Sequence, residues 1–396
     1  MKMNQITEKT TKMKNLKPEK SENADSFRSK YAKLYKTLEL PKERQEEWRY
    51  THLTKLSIDN FDFSDLPTIQ ITDLPNSLKE KGIILTDINT ASSQHQELIQ
   101  KHFFKNISPD FDKFTALNAS SFQNGFFLYI PKNTTLEIPI NIKFLIKNSI
   151  YHNIIIIEEN STLNINEELL DNSTSETFHN SITEIYAKEN SRINYYNLRN
   201  LKNSTYSFSH KIAKLSKDAN INWYTACFSG KLNRLRIDTH FTQPSAESKN
   251  IGLFLGKDSE QIDITTNVYH DSTNTTNDIK FDGILKDSSK SIYRGLITIT
   301  EKGQHTNSYL SNKILKIGEK SLANSIPALK IDANEVKASH GATIGQVNEE
   351  HLFYLMSRGL SRKQAEQLII QGFLEPTIGL FQNQEFKEKI RKIIKN

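Results

Sequence analysis

The chain has 396 residues, of which a quarter are charged, and its 52 Lys and Arg against 46 Asp and Glu give a formal net charge of +6. This mild positive charge is spread along the chain and argues against nucleic acid as the main partner. No apolar run approaches the roughly 20 residues that span a bilayer, and the first residues lack the hydrophobic core of a secretory signal, so we expect a cytoplasmic protein without membrane contacts.

The cysteine count limits metal chemistry. Cys227 is the only cysteine, so an internal disulfide cannot form, and a reducing compartment fits. An iron–sulfur cluster is usually held by four thiolates or by a mixture of thiolates and histidines, and this chain alone cannot supply such a set. Cys227 lies among apolar residues, which predicts that it packs as a small hydrophobe.

The N-terminal part divides in two. Residues 1–24 are mostly Lys, Glu, Asn and Thr without apolar periodicity, which predicts a disordered tail. Residues 25–125 read as a helical and mixed region. It opens with a helix that stops before Pro41. The apolar residues at helical spacing are Phe27, Tyr31, Leu34 and Leu38. Trp48 and Tyr50 are predicted to be core anchors.

Residues 126–346 have the texture of an all-β region, with short β-branched and aromatic runs separated by Asn, Ser, Asp and Gly. A weak turn motif recurs, with a small residue at Thr134, Ser161, Ser191, Ala219, Ser259 and Ser288. The intervals are 27 to 30 residues except for one of 40. Such a period favours stacked coils of a parallel β-helix, while a β-sandwich is the competing architecture.

The segment from Pro327 to Gln346 is predicted to pass from a strand through a tight turn at His340 and Gly341 into helices. Residues 347–396 then form a C-terminal helical region. Asn348 is predicted to cap the first helix, and Ser361 opens a capping box with Gln364. Helix ends are predicted at Gly359, at Gly372 and before Pro376.

A last helix is predicted from about Gln384. Its apolar stripe consists of Phe386, Ile390, Ile393 and Ile394. This stripe needs a partner surface, and two alternatives stay open. The helix folds back onto its own domain, or it docks on another subunit.

The sequence contains no phosphate-binding Gly-x-x-x-x-Gly-Lys loop, no Gly-x-Ser-x-Gly and no His-Glu-x-x-His. Nucleotide hydrolysis, esterase chemistry and zinc proteolysis therefore lack their usual residues. Imidazole suits iron and zinc, but lone histidines on strands are usually structural. The β region holds, among its histidines, His210, His240, His270, His305 and His340.

Three stretches of the sequence match a known family pattern. The strongest is Ser339-His340-Gly341-Ala342-Thr343 with Gly345, followed by Glu349, Glu350, Phe353-Tyr354-Leu355 and Ser357-Arg358-Gly359. The others are Glu46–Thr51 and the pair Phe281–Ile284 and Ser291–Gly295. Together they resemble the SufB/SufD family of the SUF iron–sulfur cluster assembly system, in the SufD form more than the SufB form. Many SufD proteins carry a cysteine where this chain has Ala338.

The resemblance implies a mainly β fold, a right-handed parallel β-helix flanked by N-terminal and C-terminal helical regions. It implies a non-catalytic scaffold subunit that pairs with SufB through the β-helix and binds the ATPase SufC through its C-terminal helices, with a homodimer as an alternative state in isolation. The implied cofactors are a transient iron–sulfur cluster shared with SufB and a reduced flavin on the complex. Another reading of the fold is a cytoplasmic β-helix polysaccharide lyase or hydrolase.

The resemblance also implies site residues. His340 matches the histidine that the family places at the SufB–SufD interface, which makes it the candidate residue for cluster assembly. The candidate partner-binding residues are Leu352, Phe353, Tyr354, Arg358, Phe386 and Ile390.

Overall fold

The computed structural model describes residues 22–395, with side chains from residue 27 onward. The chain is mainly β, with 43% strand, and forms a solenoid of about eight turns with helices at both ends. The predicted β-helix is confirmed, and the β-sandwich is wrong. The tail predicted for residues 1–24 lies outside the described residues except for its last three, which belong to the first helix.

Eighteen strands are formed by the described residues. The first nine are β1 Ile69–Ile71, β2 Ile84–Asp87, β3 Phe126–Ile130, β4 Ile140–Ile146, β5 Ser149–Ile157, β6 Thr162–Asp171, β7 Thr177–Ala187, β8 Arg192–Asn200 and β9 Thr205–Leu215. The others are β10 Asn220–Phe228, β11 Leu232–Phe241, β12 Glu247–Gly256, β13 Gln261–His270, β14 Thr276–Leu285, β15 Lys290–Ile299, β16 Asn307–Lys316, β17 Leu322–Ile331 and β18 Lys337–Gln346.

Successive strands alternate between two nine-stranded sheets, so each coil contributes one strand to each sheet. Sheet A contains β1 and the even-numbered strands from β4 to β18, and sheet B contains β2 and the odd-numbered strands from β3 to β17. The ladders between successive coils are parallel. Only β1 with β4 and β2 with β3 pair antiparallel in the described part of the chain. Consecutive strands therefore follow one another around the solenoid instead of folding back on each other as hairpins.

The turns from sheet B into sheet A explain the sequence repeat. The small residues there are buried: Thr134, Ser161, Ser191 and Ala219. Each follows a residue with positive φ, namely Asn133, Asn160, Asn190 and Asp218. Asn and Asp tolerate this conformation. Ser259 and Ser288 are exposed and lie in the opposite stack of turns, where Glu260 and Ser289 are the buried residues. The interval of 40 residues before Ser259 reflects this change of stack.

Two glycines in the interior of the later coils lie directly against aromatic rings. A Cβ at Gly252 would lie 2.1 Å from the Phe281 ring, and one at Gly283 would lie 2.0 Å from the Phe254 ring. Each ring thus covers the glycine that is paired with it on the neighbouring strand. Because the two sheets enclose these rings, there is little room for a methyl group.

We expect Gly252→Ala to lower the free energy of unfolding by about 1–3 kcal/mol, since an overpacked core displaces its side chains. Denaturant unfolding measures this change. Gly372→Ala is the control, because a Cβ there meets nothing within 4 Å. An unchanged unfolding free energy for Gly252→Ala would show that the Phe281 ring moves aside without cost.

Eight helices surround the solenoid in the described residues. They are α1 Glu22–Thr37, α2 Asn76–Lys79, α3 Ile88–Gln94, α4 Gln96–His102, α5 Lys113–Ser121, α6 Glu349–Ser357, α7 Arg362–Leu380 and α8 Gln384–Lys395. Two 3-10 turns span Glu46–Trp48 and Ile58–Asn60.

The N-terminal region covers the outer face of sheet B, and charged contacts fix its segment from Glu46 to Thr51. The Arg236 guanidinium donates to the Glu47 carboxylate at 2.6 Å, and the Arg234 guanidinium lies 3.8 Å from the centre of the Trp48 ring. Trp48 is buried, as predicted. Tyr50 is 37% exposed, so its assignment to the core is wrong. Glu47 and Trp48 of the family pattern therefore serve to attach this segment to sheet B, through an ion pair and a cation–π contact.

The C-terminal helices confirm the predicted caps and the predicted stop at Gly359, but not the predicted stops at Gly372 and before Pro376. The Asn348 side chain caps α6, the Ser361–Gln364 capping box opens α7, and Gly359 has a φ of +92° after α6 ends. α7 nevertheless runs through Gly372 and Pro376 to Leu380. The burial of Leu374, Thr377 and Ile378 on both sides of the proline keeps this helix on the sheet and outweighs the lost hydrogen bond.

Candidate functional site

The two ends of the solenoid differ. At the N-terminal end, β1 pairs antiparallel with β4 and β2 pairs antiparallel with β3. Leu74 and Ile83 are buried in the central core at this end. At the C-terminal end, no strand within residues 22–395 pairs with the free edges of β17 and β18. Leu322 on β17 is 54% exposed, and Ile344 on β18 is 44% exposed. Unpaired strands with exposed apolar side chains are ready to pair with another chain.

His340 lies in the middle of β18, so the predicted turn at His340 and Gly341 is wrong. Gly341 and Gly345 suggested tight turns, but both lie within the strand. His340 pairs in register with Leu310 of β16, which is fully buried in the central core. Because paired residues of parallel strands point to the same face, the imidazole lies on the inner face of the last coil. It is exposed because no further coil covers it.

The surroundings of His340 are small and uncharged. Ala338 and Ala342 share its face of the strand, and Ala338 packs against the core. Beneath Ala342, the Asn312 side chain accepts a 2.6 Å hydrogen bond from the Ser325 hydroxyl. No group of three or more His, Cys, Asp or Glu in residues 22–395 is placed to hold a metal ion. This part of the chain therefore offers a single imidazole at its open end.

Four other histidines of the β region make structural contacts within the chain. Their neighbours are Asp238 for His210, Tyr269 for His240, Thr275 for His270 and Glu335 for His305. Burial lowers the pKa of His270 to about 3, so this ring is neutral at physiological pH. These four residues do not join His340 in a site.

A buried charged cluster in the middle coils was not predicted. The Lys211 ammonium lies 2.7 and 2.8 Å from the Glu167 carboxylate oxygens, and the Tyr195 hydroxyl donates to the same carboxylate. Arg199 donates to two serine hydroxyls and an asparagine, all buried. Cys227 is buried nearby, and burial raises the pKa of its thiol to about 11, which agrees with its predicted role as a small hydrophobe.

The sequence did contain a sign of this cluster. Glu167 takes a place in a strict alternation of inward residues on β6, after Leu163 and Ile165 and before Leu169. A carboxylate on an apolar face needs a buried partner. Only the stacking of coils could show that this partner is Lys211, which lies 44 residues away.

The cluster is separated from the open end by apolar packing. Phe254, Phe281, Tyr293 and Leu310 fill the interior of the intervening coils and are almost completely buried. The charged cluster therefore belongs to the core rather than to the His340 site.

The C-terminal helices divide the predicted partner-binding residues into two groups. Leu352, Phe386 and Ile390 are buried in an apolar cluster between these helices and the outer face of sheet A. They do not face a partner, which corrects their assignment, and of the two alternatives for the last helix, α8 folds back onto its own domain. Phe353 is 74% exposed, and Tyr354 is 58% exposed.

Arg358 completes the exposed group. Its guanidinium lies 5.2 Å from the centre of the Tyr354 ring and donates to the Tyr354 hydroxyl. Phe353, Tyr354 and Arg358 are thus exposed on α6 and at its C-terminal cap, and we call these three residues the α6 patch. No helix in residues 22–395 is long and apolar enough to cross a membrane.

The fold and the open end define a class of protein, a parallel β-solenoid with one imidazole at an edge that can accept a partner. The family model described as SUF system FeS cluster assembly, SufBD core domain, matches residues 144–373, more than half of the chain. The SufBD protein N-terminal region matches residues 68–142. The chain therefore belongs to the SufBD family of the SUF system.

Two relatives illustrate the similarity. The iron-sulfur cluster assembly protein SufD of Bacillus subtilis is 26% identical, over 89% of this chain and 88% of its own length. An iron-sulfur cluster assembly SufBD family protein of Staphylococcus aureus is 28% identical, over 77% of this chain and 66% of its own length.

Proposed function

We propose that the chain is a SufD-like subunit of a cytoplasmic SUF complex that assembles iron–sulfur clusters. The observation that carries this proposal is His340, an exposed imidazole on the inner face of an uncovered last coil. The family match supports iron–sulfur involvement. The structural contacts of the other histidines, and the absence of catalytic motifs from the sequence, favour a scaffold over the lyase or hydrolase alternative.

The free edges of β17 and β18 suit pairing with SufB, whose strands would continue both sheets. A cluster at this junction is then shared, with His340 as this chain's ligand and the other ligands on SufB. Imidazole is a good ligand for iron once its proton has left. In isolation, a second copy of the chain suits the same edges. A reduced flavin, if the complex carries one, has no assigned place on this chain.

Tagged purification from the native host, followed by identification of the bound subunits and assay of iron and sulfide, tests the proposal. We expect a SufB-type subunit and an ATPase to co-purify, with iron and sulfide in the complex. Purification of the chain alone, with glycan turnover and without these subunits, would favour the enzyme alternative.

The α6 patch is the proposed docking surface for SufC. Truncation after residue 346 is a poor test of it, because the removed helices bury Tyr224, Leu253 and other apolar residues on the outer face of sheet A. Loss of that cover would expose a large apolar surface and destabilise the solenoid. Point variants on exposed residues avoid this problem.

We expect the double variant Phe353→Ser/Tyr354→Ser to weaken ATPase binding at least about tenfold, since two exposed aromatic side chains at an interface centre often carry much of its energy. Pull-down and calorimetry with the purified ATPase measure this loss. Leu322→Ser on the edge of sheet B is the matched control, which should retain the ATPase and weaken SufB pairing instead. Equal ATPase affinity of the double variant and the wild type would remove α6 from the interface.

A further inference from the structure

The strand that carries His340 is held by backbone hydrogen bonds on one side only. β18 pairs with β16, while β16 pairs with both β14 and β18. The amides of Lys337 and Val347 donate toward β16, to the carbonyls of Thr306 and Lys316 at 2.8 Å. A parallel ladder alternates with a period of two, so the amides at odd positions between them also point to β16. The amide of His340 points to the free edge.

Little apolar surface holds β18 in place. None of its ten residues is buried, whereas β16 buries four. Ile344 is its one large apolar side chain and is 44% exposed. Four of its ten residues are Gly or Ala, which are depleted in strands: Ala338, Gly341, Ala342 and Gly345. Since local stability follows buried contacts and protected backbone bonds, β18 belongs to the least stable part of the solenoid.

Both ends of β18 are fixed more firmly than its middle. Before the strand, the His305 amide donates to the Glu335 carbonyl at 2.6 Å. After the strand, Val347 and Leu352 are buried against the outer face of sheet A. An opening of the strand would therefore release residues 338–345 and leave both ends in place.

We propose that β18 in the monomeric chain exchanges between the paired strand and an open form, and that a partner strand on its free edge shifts this equilibrium to the paired form. His340 is then held in position only when the edge is covered, so the ligand becomes ordered as the complex assembles. This proposal rests on the proposed function for the identity of the partner, a SufB-type subunit. It adds a regulation of the same site.

Hydrogen–deuterium exchange of the full chain, kept monomeric by dilution as checked by size-exclusion chromatography and read at single residues, tests the proposal. The amides to compare are those of Ser339, Gly341 and Thr343, which point to β16, with those of Tyr309, Ser311 and Lys313, which point to β14. We expect the first set to exchange about 100-fold faster in the chain alone, as local openings do relative to the core. In the complex with the SufB-type subunit, the first set should slow to the rate of the second.

A matched pair of variants tests the cause. A Cβ at Gly345 meets nothing within 4 Å, so Gly345→Val adds a strand-forming side chain whose β-carbon enters open space. It should slow exchange at Ser339, Gly341 and Thr343 about fivefold. Gly372→Ala in α7 is the control, which should leave exchange in β18 unchanged.

The outcomes separate this proposal from the proposed function. Equal protection of β18 and β16 in the chain alone would overturn the opening of the strand and would leave SufB pairing untouched. Fast exchange that persists in the complex would overturn the closing step and would also remove SufB from this edge. An unchanged exchange rate in Gly345→Val would show that weak strand propensity does not cause the opening.

Discussion

Lys211→Met is expected to lower the free energy of unfolding by about 3–5 kcal/mol, because removing one partner of a buried ion pair leaves an uncompensated charge. Lys211 and Glu167 are both almost fully buried inside the solenoid. The methionine keeps most of the volume of the lysine, so the loss reports the charge rather than a cavity. Chemical denaturation followed by the fluorescence of the buried Trp223 measures the change.

The double variant Lys211→Met/Glu167→Gln is the control for this prediction. The glutamine amide oxygen can still accept from the Tyr195 hydroxyl in place of one carboxylate oxygen, and its NH2 group can donate to Asn197 once that side-chain amide turns over, since the Asn197 oxygen has no partner within the described residues. Removal of the second charge should restore at least about 2 kcal/mol of the loss. A single variant that loses less than about 1 kcal/mol would show that the buried carboxylate takes up a proton or reaches water instead.

The solenoid was predictable because its determinants are local and repeated. Each coil has its own β-branched runs and its own small residue after an Asn or Asp turn, as at Asn160 and Ser161. The position of each residue within the two stacks of turns was not predictable from the motif alone. Ser259 has the same local pattern as Ser161 but lies in the opposite stack. The hydrogen-bonded register of the coils settles such cases.

The candidate site shows the same limit. The family pattern identified His340, but Gly341 beside it suggested a turn. Only the pairing with Leu310 shows that the imidazole is on the inner face of the last coil. The stripe on α8 is a second case. Phe386 and Ile390 would be apolar whether they covered the chain's own sheet or a partner, so the sequence could not distinguish the two. In the structure, Phe386 and Ile390 pack in one cluster with residues of sheet A, which shows that they cover the chain's own sheet.

His340→Ala is expected to leave the complex with SufB and SufC assembled but to lower its iron and sulfide content at least about tenfold, since even the residues that support a metal ligand usually change affinity by this factor. The side chain is exposed in the chain alone. Its loss should change the free energy of unfolding by no more than about 0.5 kcal/mol. Co-purification, iron and sulfide assays, and the visible absorption of the cluster measure the two effects separately.

Ser339→Ala is the matched control, because Ser339 is the neighbouring residue on the same strand and is also exposed. It pairs with the outward-facing Tyr309 and so lies on the opposite face from the imidazole. This variant should keep the cluster content of the wild type. A second test is Ala338→Cys, which adds a thiolate on the face of His340 and should partly restore the cluster in His340→Ala. Wild-type iron and sulfide in His340→Ala itself would make His340 a structural residue of the edge strand.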